Sequence, residues 1–298
     1  AKAKYADQTY KEKASVFQRF FTYVNPDIST IDFANGTGRR MILKYVTEQK
    51  EARSGYAANK DRKNLVAAWN WGIKYLDLPT NNPCLVERMS EIRQPRYVPP
   101  EADFWKVYDI CSDKDKVMLL TFLHTAARRG EVFRLTWADI DFNNRTIRLS
   151  TKKRLDGSTE YDILPMTDDL TEALQSHYRR SNSFSVFVSE DGSNYVERIK
   201  FMPKKCKTAG VKSFGYHAIR HLTATTLYHN GCDLATIQAI LRHKSPGTTE
   251  RYLKTLGVTK VKTALNSLSN IMSFSPETKK EKDTYRDTNH NTAFSSNM

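Results

Sequence analysis

At 298 residues the chain is long enough for two ordinary domains, each with its own core, and its 47 Lys and Arg against 33 Asp and Glu give a formal charge of +14. That balance favours an anionic partner, nucleic acid above all. The excess is spread along the chain without a Lys/Arg block or a basic amphipathic helix, which argues against a ribosomal or membrane-surface role. No apolar run reaches membrane-spanning length, and no secretory signal opens the chain. Cys84, Cys111, Cys206 and Cys232 form no ligand spacing, so reduced, mostly buried thiols of a cytoplasmic protein are expected.

In chain order, residues 1–94 read as helices with short breaks. Tyr10, Phe17, Phe20, Phe21 and Val24 recur at helical spacing and predict one apolar face. A turn at residues 35–38 precedes a helix carrying Met41, Ile42, Tyr45 and Val46. Another helix runs roughly from Ala57 to Leu76, with Leu65, Ala68, Trp69, Gly72 and Ile73 inward. Its Lys60, Arg62 and Lys63 are candidate phosphate contacts, against the alternative of a solvated charged face. Three prolines between Pro95 and Pro100 cannot continue a helix, so a linker is placed at 95–100, where Arg96 suits a tether lying along DNA.

The remainder is mixed but mostly helical: helices over 102–111, 114–125 and 129–135, then two strands at 146–150 and 161–164 joined through Asp156 and Gly157, a hairpin signal. Helices follow at 168–178, 197–209 and 216–230, the last ended by Gly231, and Asp233 caps another to Leu241. A helix is expected from Val258 to about Met272. The stretch 101–273 is thus one domain, and the polar residues 274–298 are expected to be a disordered tail. The fold class is mainly α with a small β-hairpin or sheet, α+β.

Five side chains in four short segments carry the chemistry: Arg128, His217 with Arg220, His243, and Tyr252. A phosphodiester is anionic, and its transition state gathers more charge on the non-bridging oxygens. Two guanidiniums and two imidazoles hold such charge with fixed donors. His217 and Arg220, three apart on a helix, project from one face. A tyrosine nine residues after His243 is placed to act as nucleophile.

All four segments resemble the tyrosine recombinase, or phage integrase, family over most of residues 100–256. Thr125 to Glu131 (TAARRGE) is similar to its first arginine box, TGxRxxE; His217 to Thr225 (HAIRHLTAT) to its second, HxLRHTxAT; and Leu241-Arg242-His243 with Thr248 to Tyr252 (TTERY) to its closing LGH…TTxxY box. Ala126 stands where glycine is usual, expected to be harmless in a helix. Arg242 replaces the glycine before the histidine, adding either a phosphate contact or a surface charge. The family also uses a lysine on the hairpin between the first two boxes. Lys152 and Lys153 are the candidates, and strand alternation from Ile147 and Leu149 favours Lys153.

The resemblance implies a helical core-binding domain followed by a catalytic domain. It also implies a site-specific recombinase or integrase that cuts and rejoins double-stranded DNA through a 3′-phosphotyrosyl intermediate. Tyr252 would attack, Arg128 and Arg220 would clamp the phosphate, His243 would bond one oxygen, His217 would serve as base, and Lys153 would protonate the leaving 5′-oxygen. Glu131 is read as structural, holding Arg128. No metal or other cofactor and no ATP is required. Exchange between two duplexes implies a homotetramer on DNA, with accessory DNA-bending or directionality proteins as further partners, in a prokaryotic or phage setting near the nucleoid. The chain begins with Ala1 and is read as a fragment lacking upstream sequence such as an arm-binding domain. Two alternatives are a type IB topoisomerase-like or resolvase enzyme, and a non-catalytic regulator using residues 230–241 as a helix-turn-helix.

Overall fold

The computed structural model describes residues 7–24, 27–92, 96–151, 159–243, 245 and 247. The chain divides into two compact units, Ala1–Pro95 and Arg96–Met298. In the first unit, helices α1 (Asp7–Tyr23), α2 (Thr30–Asn35), α3 (Gly38–Ala52) and α4 (Gly55–Tyr75) are separated by short turns. Ser29 and Ser54 set two of the starts, each side chain accepting the backbone N–H three residues on. The apolar stripe of the first helix buries Val16 and Phe20 and continues to Val24 just past its end, four apart; Phe20 and Val24 pack with Ile42, Tyr45, Val46, Ala58 and Leu65. Phe21, expected on that face, is instead 58% exposed, because its neighbour Phe20 takes the inward position. The short helix α2 went unread, since six residues carry too little periodicity.

One buried charge ties this unit together. Asp61 on α4 is fully buried and accepts from Arg19 Nη2 of α1 (2.9 Å), Arg53 Nη1 just past α3 (3.0 Å) and the Tyr45 hydroxyl of α3 (2.9 Å).

The second unit is built from α5 (Glu101–Asp109), α6 (Asp113–Thr125), α7 (Arg129–Val132), the strands β1 (Ile140–Asp141), β2 (Thr146–Thr151) and β3 (Glu160–Pro165), then α8 (Asp168–Arg179), α9 (Phe201–Thr208), α10 (Tyr216–His229) and α11 (Leu234–Leu241). The sheet is antiparallel in the order β1-β2-β3, with Ile147 opposite Leu164. Strand β2 alternates as expected, burying Ile147, Leu149 and Thr151. These pack with Phe122, Leu170, Leu174 and Ile219 in one core. A smaller cluster of Ala126, Ala224, Ile237 and Leu241 seats α11 against α10 and the end of α6. Ser112, Thr167 and Asp233 cap α6, α8 and α11, each accepting the N–H three residues on.

Two helices are shorter than the sequence predicts. Helix α7 stops at Val132, beyond which the Arg134 and Leu135 N–H groups turn to carbonyls three residues back, Glu131 and Val132. Helix α9 starts only at Phe201 because Arg198 sits at φ +44°, a left-handed value that a right-handed helix cannot propagate. The two-residue strand β1 was not anticipated. The Asp156–Gly157 turn, the helix expected over 258–272 and the tail at 274–298 lie outside the described residues. Among the described residues no helix is long and apolar enough to cross a membrane. The architecture is mainly helical with one small antiparallel sheet.

Candidate active site

Helix α6 ends at Thr125, and its C-cap Ala126 lies at φ +48°. The position expected to be ordinary helix is therefore a left-handed cap, which glycine takes without penalty and alanine does not. The chain then reverses into Arg128, which opens α7. Glu131, 2% exposed, folds back so that its Oε2 accepts the Arg128 backbone N–H at 2.8 Å. Its Oε1 accepts Arg128 Nη1 and the Thr151 hydroxyl, both at 2.8 Å, and its Oε2 also accepts Arg242 Nη2 at 2.9 Å. Four bonds fill the acceptor sites of one carboxylate. Burial alone would raise its pKa, but the Arg242 charge and the bonds from Arg128 and Thr151 overcome that and hold it at about 2.

The other wall comes from α10 and the end of α11. His217 and Arg220 share one face of α10, with His217 exposed and Arg220 1% exposed. Arg220 donates from Nη1 to the Ala126 carbonyl and from Nη2 to the Leu241 carbonyl. Arg242, C-cap of α11, lies at φ +51° and sends Nη1 to the Thr125 carbonyl (3.1 Å) and the Ile240 carbonyl (3.0 Å). Two guanidiniums thus occupy the last carbonyls of both α6 and α11, the negative ends of those helices, which favours cations there. His243 follows at once, its backbone N–H donating to the Gln238 carbonyl and its own carbonyl accepting from the Gln238 amide.

Electrostatics place these groups around one point. The His243 imidazole is held at about 4, first by burial, then by the charges of Arg220, Arg128, His217 and Arg242. His221, 6% exposed and edge-on to His217 with ring centroids 4.8 Å apart, is held at about 3 by burial and by His217, Arg96, Arg220 and His243. Both rings are neutral at pH 7. Arg96 Nη1 reaches His217 Nε2 at 2.9 Å and His221 Nε2 at 3.5 Å. Since a guanidinium only donates, this Nε2 of His217 is the acceptor. Such a crevice, rich in fixed donors with one fully engaged carboxylate, suits a dianionic or anionic oxygen cluster.

The structure brings Arg128, Glu131, His217, Arg220 and His243 together as the sequence suggests. Lys152, Lys153 and Tyr252 lie outside the described residues. Arg242 is neither a surface charge nor an open phosphate contact: its side chain is 4% exposed and paired with Glu131. In the first unit, Lys60 pairs with Glu12 at 2.8 Å and Arg62 Nε donates to the Val86 carbonyl at 2.6 Å, so both have intramolecular partners, while Lys63 is exposed. Sequence reasoning missed the Thr151 bond, the place of His221, and the reach of Arg96 to His217. The glycines usual at positions 126 and 242 were a usable signal, since glycine at a helix end marks a left-handed backbone.

Comparison with known proteins follows the same lines. The chain aligns over 157 residues, 47% of its length, at 29% identity with 43% of the tyrosine recombinase XerC of Bifidobacterium longum (strain DJO10A). It aligns over 150 residues at 33% identity with 46% of the XerC of Chlamydia caviae. The match spans less than half the length of these curated relatives. Among solved structures, the Tn1549 transposon integrase in complex with circular intermediate DNA superposes with a TM-score of 0.67 at 18% identity, over 83% of this chain and 90% of that one. A lambda integrase dimer bound to a COC′ core site gives 0.65 at 16% identity, over 83% and 72%; both likenesses concern the fold. The model of the phage integrase family matches residues 101–256, a span that holds the turns at Ala126 and Arg242 with Arg128, Glu131, His217, Arg220 and His243, and by that match the chain belongs to the phage integrase family.

Proposed function

We propose that the protein is a site-specific DNA recombinase or integrase that cuts and rejoins one strand at a time through a covalent phosphotyrosyl link. The observation that carries this is the cationic cluster tied together by Glu131, which binds Arg128 and the Arg242 that precedes His243, beside the α10 face that bears His217 and Arg220, a donor array suited to the charge of a pentacoordinate phosphorus. Tyr252 supplies the nucleophile. Its phenol loses a proton to His217, whose Nε2 must first be given up by Arg96, the donor that holds it at 2.9 Å, and its oxygen forms the new bond to phosphorus as the bond to the 5′-oxygen breaks. Lys153 gives that oxygen its proton. Because the phosphodiester is exchanged rather than hydrolysed, a 5′-hydroxyl from a second duplex reverses the step without ATP.

The two-unit division supports a reading in which residues 1–94 and the catalytic unit each grip the duplex, with Lys63 and the 95–100 tether on the backbone. The names of related proteins, an integrase held on circular intermediate DNA and another on a core site, support double-stranded DNA as substrate. Exchange between two duplexes calls for four sites, hence a tetramer on DNA in a prokaryotic or phage-infected cell.

The test uses nicked duplexes drawn from the DNA flanking the gene, which trap the covalent species once the short strand diffuses away. Wild-type protein forms an adduct that survives a denaturing gel, and Tyr252→Phe binds the same duplex but forms none. Plasmid relaxation without recombinant joints would point to a topoisomerase instead. Duplex binding with no adduct from wild type would leave only a DNA-binding regulator.

A further inference from the structure

We infer that Arg242 is a positioning residue, whose guanidinium ties the His243 segment to the Arg128 segment through Glu131 and so fixes the width of the phosphate crevice. The inference rests on the reading of the site given above. Four observations support it. The residue occupies a left-handed turn at φ +51°, where a β-carbon is a handicap, so its side chain must return something. The side chain is 4% exposed although it carries a full charge. Its two Nη atoms donate to three places, Glu131 Oε2 in α7, the Thr125 carbonyl closing α6 and the Ile240 carbonyl of its own helix, while Nε makes no hydrogen bond and lies 3.8 Å from the Asp162 carboxylate on β3 as an ion pair. Finally, Glu131 bridges the two sides: Oε2 accepts both the Arg128 backbone N–H and Arg242 Nη2, and Oε1 accepts Arg128 Nη1.

Glycine at this position would provide the turn but not the strut. Glu131 would then face only Arg128 and Thr151 directly, with Arg134 as the remaining nearby charge. His243, which feels Arg242 among its neighbouring cations, would lose the fixed end of its segment. Arg242 therefore acts at one remove from the phosphate, setting how Arg128 and His243 are spaced and keeping Glu131 ionised.

The experiment compares full-length wild type, Arg242→Gly and Arg242→Lys on a nicked duplex, measuring duplex affinity and the single-turnover rate of adduct formation at saturating duplex, each across pH. For Arg242→Gly, affinity stays close to wild type while the saturated rate falls about 10- to 100-fold, the usual effect of small misplacement in a reacting array. The acid limb of its rate profile moves up by about one pH unit or more, because Glu131 loses the charge that most depresses it. Arg242→Lys falls between, since a single ammonium cannot span Glu131 and two carbonyls. Weakened affinity with a salt dependence reduced by about one counterion, and an unchanged saturated rate, would make Arg242 a phosphate contact and overturn the inference. An unchanged rate and acid limb in both variants overturns it as well. Should Arg242→Gly fail to fold, Arg242→Lys decides: a slower saturated rate at wild-type affinity supports the strut, and a wild-type rate refutes it. Wild-type protein that never forms an adduct defeats the reading of the site and this inference with it.

Discussion

The two units each bury one carboxylate among two arginines and a hydroxyl, yet the two arrangements serve different ends. Asp61 accepts from Arg19, Arg53 and Tyr45; Glu131 accepts from Arg128, Arg242 and Thr151. Around Asp61 the guanidiniums are each about a third exposed, one from within α1 and one from just past α3, so the knot fixes how α1, α3 and α4 meet. Around Glu131 the arginines stand at a helix start and a left-handed turn, beside imidazoles that share their field. The same chemical device pins a scaffold in one place and aims donors in the other. What decides between them is whether the partnering cations have a further task, since burial of the carboxylate is nearly complete in both.

The sharpest way to break the comparison is to neutralise each carboxylate in turn. Asp61→Asn should cost on the order of 3 kcal/mol in urea unfolding, because two cations lose their counter-charge, while the adduct rate per bound molecule stays at the wild-type value. Glu131→Gln should instead slow that rate, with affinity for the duplex little changed. Equal effects of both variants on rate would erase the distinction.

Acid unfolding sharpens it further. Glu131 has a folded pKa of about 2 against an ordinary 4.5. Its ionised form therefore stabilises the fold fully above about pH 4.5, and that contribution drains away as pH falls toward 2. Stability of wild type should decline across that window more steeply than stability of Glu131→Gln, as read from denaturant midpoints at successive pH values. Parallel curves would show that the carboxylate is not coupled to its arginines as the geometry implies.

The smallest effect concerns the backbone. Ala126→Gly removes a β-carbon from a left-handed residue and should raise stability by up to about 1 kcal/mol, read as a small increase in melting temperature. A lowered melting temperature would mean that the buried methyl packing against Ala224, Ile237 and Leu241 outweighs the backbone relief.

Much of this was legible in the chain itself. Asp233 announced the start of α11 as its cap, and the alternation of β2 was visible in Ile147 and Leu149. The donors of the crevice stood in recognisable order. What the sequence hid were relations that no local pattern encodes. Arg242 and Glu131 are 111 positions apart, and Arg96 and His217 are 121 apart, so neither contact leaves a periodic trace. The reversed backbone at Ala126 and Arg242 was masked because residues with side chains occupy turns that glycine would have advertised. The shortened α7 and α9 followed from backbone turns, the three-residue bonds at Arg134 and Leu135 for one and the left-handed Arg198 for the other.

The carbonyls at the ends of α6 and α11 have a consequence for how substrate is met. Because Arg220 and Arg242 are lashed to them, mutual repulsion among the cations is borne when the polypeptide folds and not when a nucleic acid arrives. Under the proposed function an incoming phosphodiester backbone would encounter a cradle already cocked, with little rearrangement left to perform, and lesions at either helix end would be expected to slow adduct formation.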